Sequence, residues 1–413
     1  MTYSEIFKEI VSIMKNDSAS YPDFGAGNFE EYEKQITDDM DRMEFLHLVQ
    51  NYVSTFKIQA HLKFVDNACG YVGFSVMRKG DVLYVTKANN GTGLVPGDKI
   101  TAIDSMPVSE VAQREKNMLM DESEERQGGL WPAFLKYYKT ISVEHEDGSK
   151  EELELVLDTE PEPEEKYYSR SYGDDTLYLR FADFVDAQAT AKLYEDCRES
   201  LEKCKNLIVD VRGNGGGADG CFIPLIEYSF PAGEPVDNYI KPEYPVAINY
   251  SERNCDDRLK LLKSFFGDDV PEDVKPMVDK MLADLDANRG KGFVDEDEDM
   301  FKGLTGKANP EKVWVLTDEG CGSSGDAFVE AMSFSPKVTV VGRPTCGITD
   351  YSNLNMVSFD DFQFMYPTSR DSRIDHGKGL LQRGVPVDKY IPWTPEQIKK
   401  DVMLEAVLEE ITS

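Results

Sequence analysis

The chain is poor in basic residues, in histidine and in long apolar runs. Its 45 lysines and arginines stand against 77 acids, which gives a net charge of −32, and only four residues are histidine. Nucleic acid and anionic membranes would both repel such a chain, so we expect neither as a partner. The N-terminal segment 1–17 carries acids and has no continuous apolar core, so it reads as neither a signal peptide nor a membrane span.

Paired cysteines are also missing. The seven cysteines are odd in number and show no spacing typical of a metal site. Free thiols suit a reducing compartment, so we expect a cytoplasmic protein, or an exported one if a leader has been removed. We expect no metal ion and no other cofactor.

What the chain does have is an apolar strand that runs into a glycine-rich loop, in the segment NLIVDVRGNGGG at 206–217. Backbone amides in such a loop can approach a negative charge closely. One use is a dinucleotide phosphate site, for which Gly215, Gly217 and Gly220 satisfy the fingerprint, and the other is an oxyanion hole for acyl transfer. The nucleotide alternative needs an acidic ribose partner about twenty residues further on, where Glu234 is the nearby candidate.

A second strand-to-turn-to-helix pattern follows in VWVLTDEGCGSSGDAF at 313–328. Ser323 and Ser324 lie in the turn, and Asp326 lies in the first helical turn. A serine at such an elbow is exposed, and the helix N-terminus stabilises negative charge beside it. The alternative interpretation is an ordinary N-cap serine with Asp326 completing the cap. Two elbows in one chain favour acyl transfer over nucleotide binding.

In their order and spacing, four segments resemble peptidase family S41, which includes the C-terminal processing (tail-specific) peptidases and the tricorn core. They are RGNGGG from 212, SSGD from 323, VTVVGRPTCG from 338 and the closing GVPVDKYIPWTP from 384. The similarity covers most of the chain. It implies a serine peptidase that cleaves peptides or protein C-terminal tails, with an α/β core of the crotonase/Clp protease-like fold.

The resemblance also implies roles for individual residues. Ser323 falls on the nucleophile position, and the backbone amide of Ser324 would form one side of the oxyanion hole. The second amide is expected from the glycine loop, with Gly216 the first choice and Gly215 the next.

The chain departs from the processing peptidases at the base. Those enzymes carry a lysine at the end of a T-x-G-K turn, whereas residues 345–348 here read Thr-Cys-Gly-Ile. Isoleucine cannot accept a proton, so a Ser/Lys dyad is excluded at Ile348. Histidine titrates near neutrality, and tricorn-like members carry a histidine base where this chain has His61. We therefore predict His61 as the general base, with His376 as a distant second choice. The alternative for His61 is a half-buried histidine whose role is only in packing.

No acid stands where tricorn-like relatives have the glutamate that orients the histidine, because this chain has Leu381 there. Asp350 and Gln382 are the candidates to orient His61 instead. Losing an orienter can cost several powers of ten in rate. A second function follows from Ile348 and Leu381, namely a weak or inactive S41 relative that binds peptides through a PDZ-like domain without cleaving them.

The chain divides by pattern into an α/β multidomain protein. Residues 1–66 show helical periodicity and predict a cap domain, and GLVPGDKI from 93 resembles the PDZ modules of proteases. In that module we predict Gly73, Phe74 and Val76 as the peptide-binding segment, which would add a peptide strand to a sheet edge. The predicted domains are a cap at 1–66, a PDZ-like domain at 67–158, a linker at 159–166 and a catalytic core at 167–413.

The predicted core contains a long insertion at about 231–310. Its pattern predicts a helix pair, and it contains a dense acidic run, DEDED at 295–299. Such a run is usually a solvated loop, and it lacks the glycine and the spacing of a calcium loop.

Overall fold

The structure is a computed structural model that describes residues 1–157, 164–241, 243–267, 270, 272, 274–296 and 300–413. Residues 159–163 of the predicted linker and 297–299 of the acidic run lie outside the described residues. The α-helices are α1 (Tyr3–Asn16), α2 (Tyr21–Phe24), α3 (Phe29–Glu33), α4 (Arg42–Ser54), α5 (Val108–Arg114), α6 (Trp131–Leu135), α7 (Ala187–Lys203), α8 (Ile223–Ser229), α9 (Glu252–Phe266), α10 (Lys275–Asn288), α11 (Ser324–Ser333) and α12 (Val402–Thr412).

The strands are β1 (Lys63–Asp66), β2 (Phe74–Lys79), β3 (Val82–Ala88), β4 (Lys99–Ile103), β5 (Met106–Pro107), β6 (Thr140–Glu144), β7 (Lys150–Glu154), β8 (Tyr167–Tyr172), β9 (Thr176–Phe181), β10 (Asn206–Asp210), β11 (Val246–Asn249), β12 (Phe293–Glu296), β13 (Lys312–Thr317), β14 (Val338–Gly342), β15 (Tyr351–Phe359), β16 (Phe362–Asp371) and β17 (Lys389–Tyr390). Short 3₁₀ helices cover Glu124–Gln127, Asp219–Cys221, Val236–Asn238, Ser372–His376 and Pro395–Ile398. The molecule is therefore a mixed α/β protein with several sheets.

The chain forms two compact units, and each is assembled from three chain segments. The first unit comprises Met1–Ala68, Glu243–Glu298 and Asp350–Gly379. The second comprises Cys69–Pro242, Asp299–Thr349 and Leu380–Ser413. The division into cap, PDZ-like domain and core stays a prediction.

The first unit is built on an antiparallel sheet with the order β1-β16-β11-β12, and β15 also pairs with β16. The helices α1 to α4 contribute its N-terminal part, where Phe7, Phe45 and Tyr52 are fully buried. The helices α9 and α10 form the predicted helix pair of the insertion, and β12 includes Asp295 and Glu296 of the acidic run.

The second unit contains two sheets. One is antiparallel with the order β2-β3-β4-β6-β7, and β5 pairs with β4. The other has the order β17-β14-β13-β10-β9-β8, in which the strands from β9 to β17 run parallel and β8 alone is antiparallel. Strands that are buried on both faces have continuous apolar sequences. NLIVD of β10 and VWVLT of β13 are such sequences, and they form neighbouring central strands.

Alternate residues of these central strands face different helices. Leu207 and Val209 of β10 pack in the cluster that includes residues of α7, α8 and α11. Ile208 packs with Met403 and Val407 of α12. The sheet is therefore covered on both faces, and the carboxyl ends of β10 and β13 meet at one edge. Within the described ranges, no helix is both long and apolar enough to cross a membrane.

Candidate active site

The serine elbow lies between β13 and α11, where Ser323 immediately precedes the helix. Its backbone has φ 58° and ψ −124°, a positive-φ conformation that residues other than glycine rarely adopt. Strain of this kind at a strand-to-helix turn is typical of nucleophilic serines, because the sharp turn exposes the hydroxyl. The sequence predicted the turn, whereas the strain of Ser323 is visible only in the structure.

A buried carboxylate holds this turn in place. Asp326 is fully buried and accepts hydrogen bonds from the backbone N–H groups of Ser323 at 2.9 Å, Gly347 at 2.7 Å and Ile348 at 2.9 Å. Burial raises the pKa of Asp326 from its ordinary 3.8 to about 6, and the hydrogen bonds from Thr345 and the three amides limit the rise. Asp326 therefore ties the serine elbow to the turn at 345–348, a role beyond the helix cap that its position suggested.

We expect Asp326→Asn to remove a pH dependence of stability. Because the pKa of Asp326 is raised in the folded state, its contribution to stability is complete below about pH 3.8 and is lost as the pH rises through about 6. A carboxyl pKa that moves from 3.8 to about 6 corresponds to roughly 3 kcal/mol. Urea unfolding between pH 4 and pH 7 should show the wild type losing up to that amount relative to the variant. A constant difference between the two proteins across this range would contradict the assignment.

The glycine loop after β10 is hydrogen-bonded to the serine elbow. The N–H of Gly322 donates to the carbonyl oxygen of Asn214 at 2.8 Å, and the hydroxyl of Ser324 donates to the carbonyl oxygen of Gly217 at 2.9 Å. Since β10 and β13 are parallel neighbours, their C-terminal turns lie side by side. The two elbows found in the sequence therefore form one site within the second unit.

Two backbone amides at this site are available to a ligand. The N–H of Gly216, ranked first from sequence, donates to the side-chain oxygen of Asn214 at 2.9 Å. Among the described residues, the N–H groups of Gly215 and Ser324 have no hydrogen-bond acceptor. An asparagine two residues before the donor is the spacing of an Asx turn, a signal in the sequence that the ranking did not use.

His61 lies in the first unit, two residues before the start of β1, and only 4% of its surface is exposed. Its Nδ1 lies 2.5 Å from the backbone carbonyl oxygen of Tyr351. A carbonyl oxygen can only accept a hydrogen bond, so Nδ1 must carry the proton. Nε2 is then the basic nitrogen of the neutral ring, which is the tautomer that a general base needs.

The two residues predicted to orient His61 each form a hydrogen bond in the structure, and their role as orienters stays a prediction. The carboxylate of Asp350 is buried and accepts a hydrogen bond from Nε of Arg373 at 2.7 Å. The side-chain amide of Gln382 donates to the carbonyl oxygen of Met120 at 2.8 Å. The acceptor at Nδ1 of His61 is a backbone carbonyl, which leaves no mark in the residue pattern.

The cysteines beside the elbow, Cys321 and Cys346, are buried. Burial raises the pKa of the thiols of Cys321 and Cys346, which disfavours the nucleophilic thiolate at both positions. Ile348 is also buried, and its hydrocarbon side chain has no proton acceptor. Within the described parts of the chain, no three His, Cys, Asp or Glu side chains are grouped so that they could hold a metal ion.

The strand predicted to bind peptide, β2, lies at one end of its sheet. Gly73 precedes it with φ 68°, and the side chains of Phe74 and Val76 are buried in the core beneath that sheet. A peptide could therefore pair only with the backbone edge of this strand. The segment that includes Glu124 lies against the same strand end, because its carboxylate accepts the N–H of Gly80 at 2.8 Å.

Comparison with known proteins gives a family match and a similar fold. A family model described as peptidase family S41 matches residues 175–391. The structure of mature CPAF complexed with lactacystin is similar at a TM-score of 0.64 and 13% identity, over 99% of this chain and 97% of that one. The photosystem II D1 C-terminal processing protease gives a TM-score of 0.46 at 14% identity, over 100% and 98% of the two chains.

The tricorn protease gives a TM-score of 0.45 at 15% identity, over 99% of this chain and 36% of that one. None of the curated proteins compared with the chain matches it. At these identities, the similarity to solved structures shows the fold alone.

Proposed function

Since this chain belongs to peptidase family S41 and is a serine-type peptidase, we propose that Ser323 is its nucleophile and His61 its general base. The observation that carries the proposal is the strained Ser323 elbow, whose N–H is held by buried Asp326 beside two unbonded amides. The substrates of the family are peptides or proteins. The nucleotide-binding alternative is set aside, because it gives the serine elbow no role.

The proposed reaction uses these groups in order. The hydroxyl of Ser323 attacks the carbonyl carbon of the scissile peptide bond while Nε2 of His61 takes its proton. The N–H groups of Gly215 and Ser324 stabilise the negative oxygen of the tetrahedral intermediate. The protonated imidazole then gives its proton to the leaving amine, and water hydrolyses the acyl enzyme in a second cycle of the same steps.

The tautomer of His61 supports its part in the proposal. Because the Tyr351 carbonyl holds Nδ1–H, the base does not need the acid that is missing at Leu381. Tyr351 is thus proposed as a positioning residue that acts through its backbone. A carbonyl dipole stabilises an imidazolium less than a carboxylate does, so we expect slower turnover than in an enzyme with a full triad.

We further propose that the sheet from β2 to β7 is a PDZ-like module and that α1 to α4 form a cap. The edge position of β2 after the Gly73 turn supports strand addition by a peptide. The second candidate function is peptide binding by this module without cleavage. Ile348 and Leu381 favour it, because both replace groups that take part in catalysis in the family's known mechanisms.

A fluorophosphonate probe tests the proposal directly. We expect stoichiometric labelling of the wild type, with the added mass on the peptide that contains Ser323, and labelling of His61→Ala at least about 100-fold slower. His145→Ala is the matched control and should label at the wild-type rate, since His145 bonds to Asp98 and Glu151 on the antiparallel sheet.

Absence of labelling in folded wild-type protein across neutral pH would overturn the peptidase assignment to Ser323. Labelling of His61→Ala at the wild-type rate would remove His61 as the base. Binding of a fluorescent peptide by a protein that does not label would support the non-cleaving alternative.

A further inference from the structure

The first unit contains a cavity of about 190 Å³ beside the helix pair of the insertion. It lies among residues of α9, α10, β11 and β12, with further contributions from β15 and β16. Much of its wall is apolar, and the apolar lining includes Ile248, Cys255, Met277, Met281 and Leu285. A small cavity with apolar walls and a few polar groups is the usual form of a ligand site.

An arginine on α9 distinguishes this cavity. Arg258 lines it and is partly buried, and no acceptor or carboxylate among the described residues bonds to its guanidinium group. Burial lowers the pKa of Arg258, the nearby charge of Glu296 offsets this only in part, and the guanidinium stays charged at neutral pH. A buried charge without a hydrogen-bonded ion pair is costly, so a ligand that supplies an anion would gain from pairing with it.

Neighbouring arginines do not share this condition. Arg253, on the same helix, pairs with Glu9 and with Asp17. Arg289 pairs with Glu252 at 3.0 Å and with Asp256 at 2.8 Å. The chain carries a large excess of acid, so leaving one arginine of this region unpaired is a specific arrangement.

The carboxylates that line the cavity are already engaged. Glu296 accepts a hydrogen bond from the hydroxyl of Tyr250 at 2.6 Å, and Asp284 forms an ion pair with Lys280 at 2.9 Å. Asn353, also in the lining, donates one side-chain N–H to Ser369 at 3.1 Å and has a second one to offer. The cavity therefore offers donors to an anion beside an apolar wall.

We propose that this cavity binds a carboxylate that carries an apolar side chain, with the Arg258 guanidinium as the anchor. A guanidinium can donate two parallel hydrogen bonds to a carboxylate, and the methionine and leucine side chains of α10 would cover the apolar group. The volume limits the occupant to about one amino-acid residue. The same chemistry is presented by the C-terminal residue of a peptide and by a free small acid.

Calorimetry on full-length Ser323→Ala protein tests the site without turnover, so its result does not depend on the proposed catalytic roles. The probes are N-acetyl-leucine, N-acetyl-leucinamide, and a hexapeptide ending in leucine as free acid or as amide. We expect a free acid to bind and its amide to bind at least about tenfold more weakly, since a hydrogen bond between charged groups is stronger than one to a neutral amide. Arg258→Met should weaken binding of the free acid by a similar factor.

Lys260→Met is the matched control, because Lys260 is exposed on the same helix and pairs with Asp257. It should bind the acid as the parent does. Met277→Trp provides a second variant at the cavity rim, where 53% of Met277 is exposed, and it should block binding without a loss of folding. Arg258→Lys should retain part of the affinity.

The same experiment distinguishes a peptide C-terminus from a free small acid as the ligand. Tighter binding of the free-acid hexapeptide than of N-acetyl-leucine assigns the site to peptide termini, and the reverse order assigns it to a free acid. Equal affinity for acid and amide, or unchanged binding in both Arg258→Met and Met277→Trp, would overturn the proposal. Circular dichroism and thermal unfolding of each variant exclude misfolding as the cause of a loss.

Discussion

Replacing Ser323 by alanine is expected to abolish peptide hydrolysis, with a rate lower by roughly 10⁴- to 10⁶-fold. The variant loses the hydroxyl proposed as the nucleophile, while the hydrogen bonds from the Ser323 N–H to Asp326 and between the two loops remain. Its stability should therefore stay close to that of the wild type. Cleavage of a denatured protein substrate, followed by mass spectrometry of the products, measures the loss.

Ser324→Ala is the matched control for this result. It keeps the backbone N–H proposed for the oxyanion hole. It loses the hydroxyl that donates to the Gly217 carbonyl, a bond worth about 1 kcal/mol, and that also interacts with the carboxylate of Asp219. We expect its rate to stay within roughly tenfold of the wild type, because losing this hydroxyl should displace the loop by much less than 1 Å. Equal losses of activity in both variants, or a loss of activity confined to Ser324→Ala, would contradict the assignment of Ser323 as the nucleophile.

Gly216→Ala is expected to have the second largest effect, because the glycine loop and the serine elbow pack without room for a side chain. A Cβ at Gly216 would lie 2.5 Å from the Cβ of Ser323 and 2.9 Å from the nitrogen of Ser324. The residue also has φ +96°, which an L side chain rarely adopts. We expect a loss of roughly 2–5 kcal/mol in the free energy of unfolding.

The same substitution should slow fluorophosphonate labelling of Ser323 at least about 100-fold, since a displacement near 1 Å is enough for such a loss. Gly220→Ala is the control on the same loop, where an added Cβ meets nothing within 4 Å and φ is not positive. It should leave both stability and labelling near the wild-type values. Wild-type labelling of Gly216→Ala would show that the two loops do not constrain each other as described.

The parts of the site that could be predicted from sequence are those encoded locally. An apolar strand followed by glycine or serine and then by a helix start identified both elbows, and the family resemblance identified the peptidase. The parallel pairing of β10 with β13 then brings the elbows together. The missing lysine at Ile348 was also readable, because it is a property of one position.

The remaining features depend on contacts between distant segments. Asp326 accepts hydrogen bonds from the N–H groups of Ser323 and of two residues in a turn about twenty positions later. No local sequence pattern specifies the contact between these two segments. His61 and Tyr351 are separated by 290 positions. The assignment of an oxyanion amide to Gly216 was drawn from the family pattern, and the neighbouring Asn214 side chain engages that N–H.

The bond between His61 and the Tyr351 carbonyl has a consequence for how relatives of this chain can diverge. Every amino acid carries a main-chain oxygen, so no substitution at position 351 can delete the group that fixes the imidazole tautomer. Selection would then act on the path of the backbone at the start of β15 instead of on a side chain. The Tyr351 side chain has a separate structural role, because it is buried and its hydroxyl donates to Asp23 at 2.8 Å. Under the proposed mechanism, an alignment would therefore count two catalytic side chains where the chemistry uses three groups.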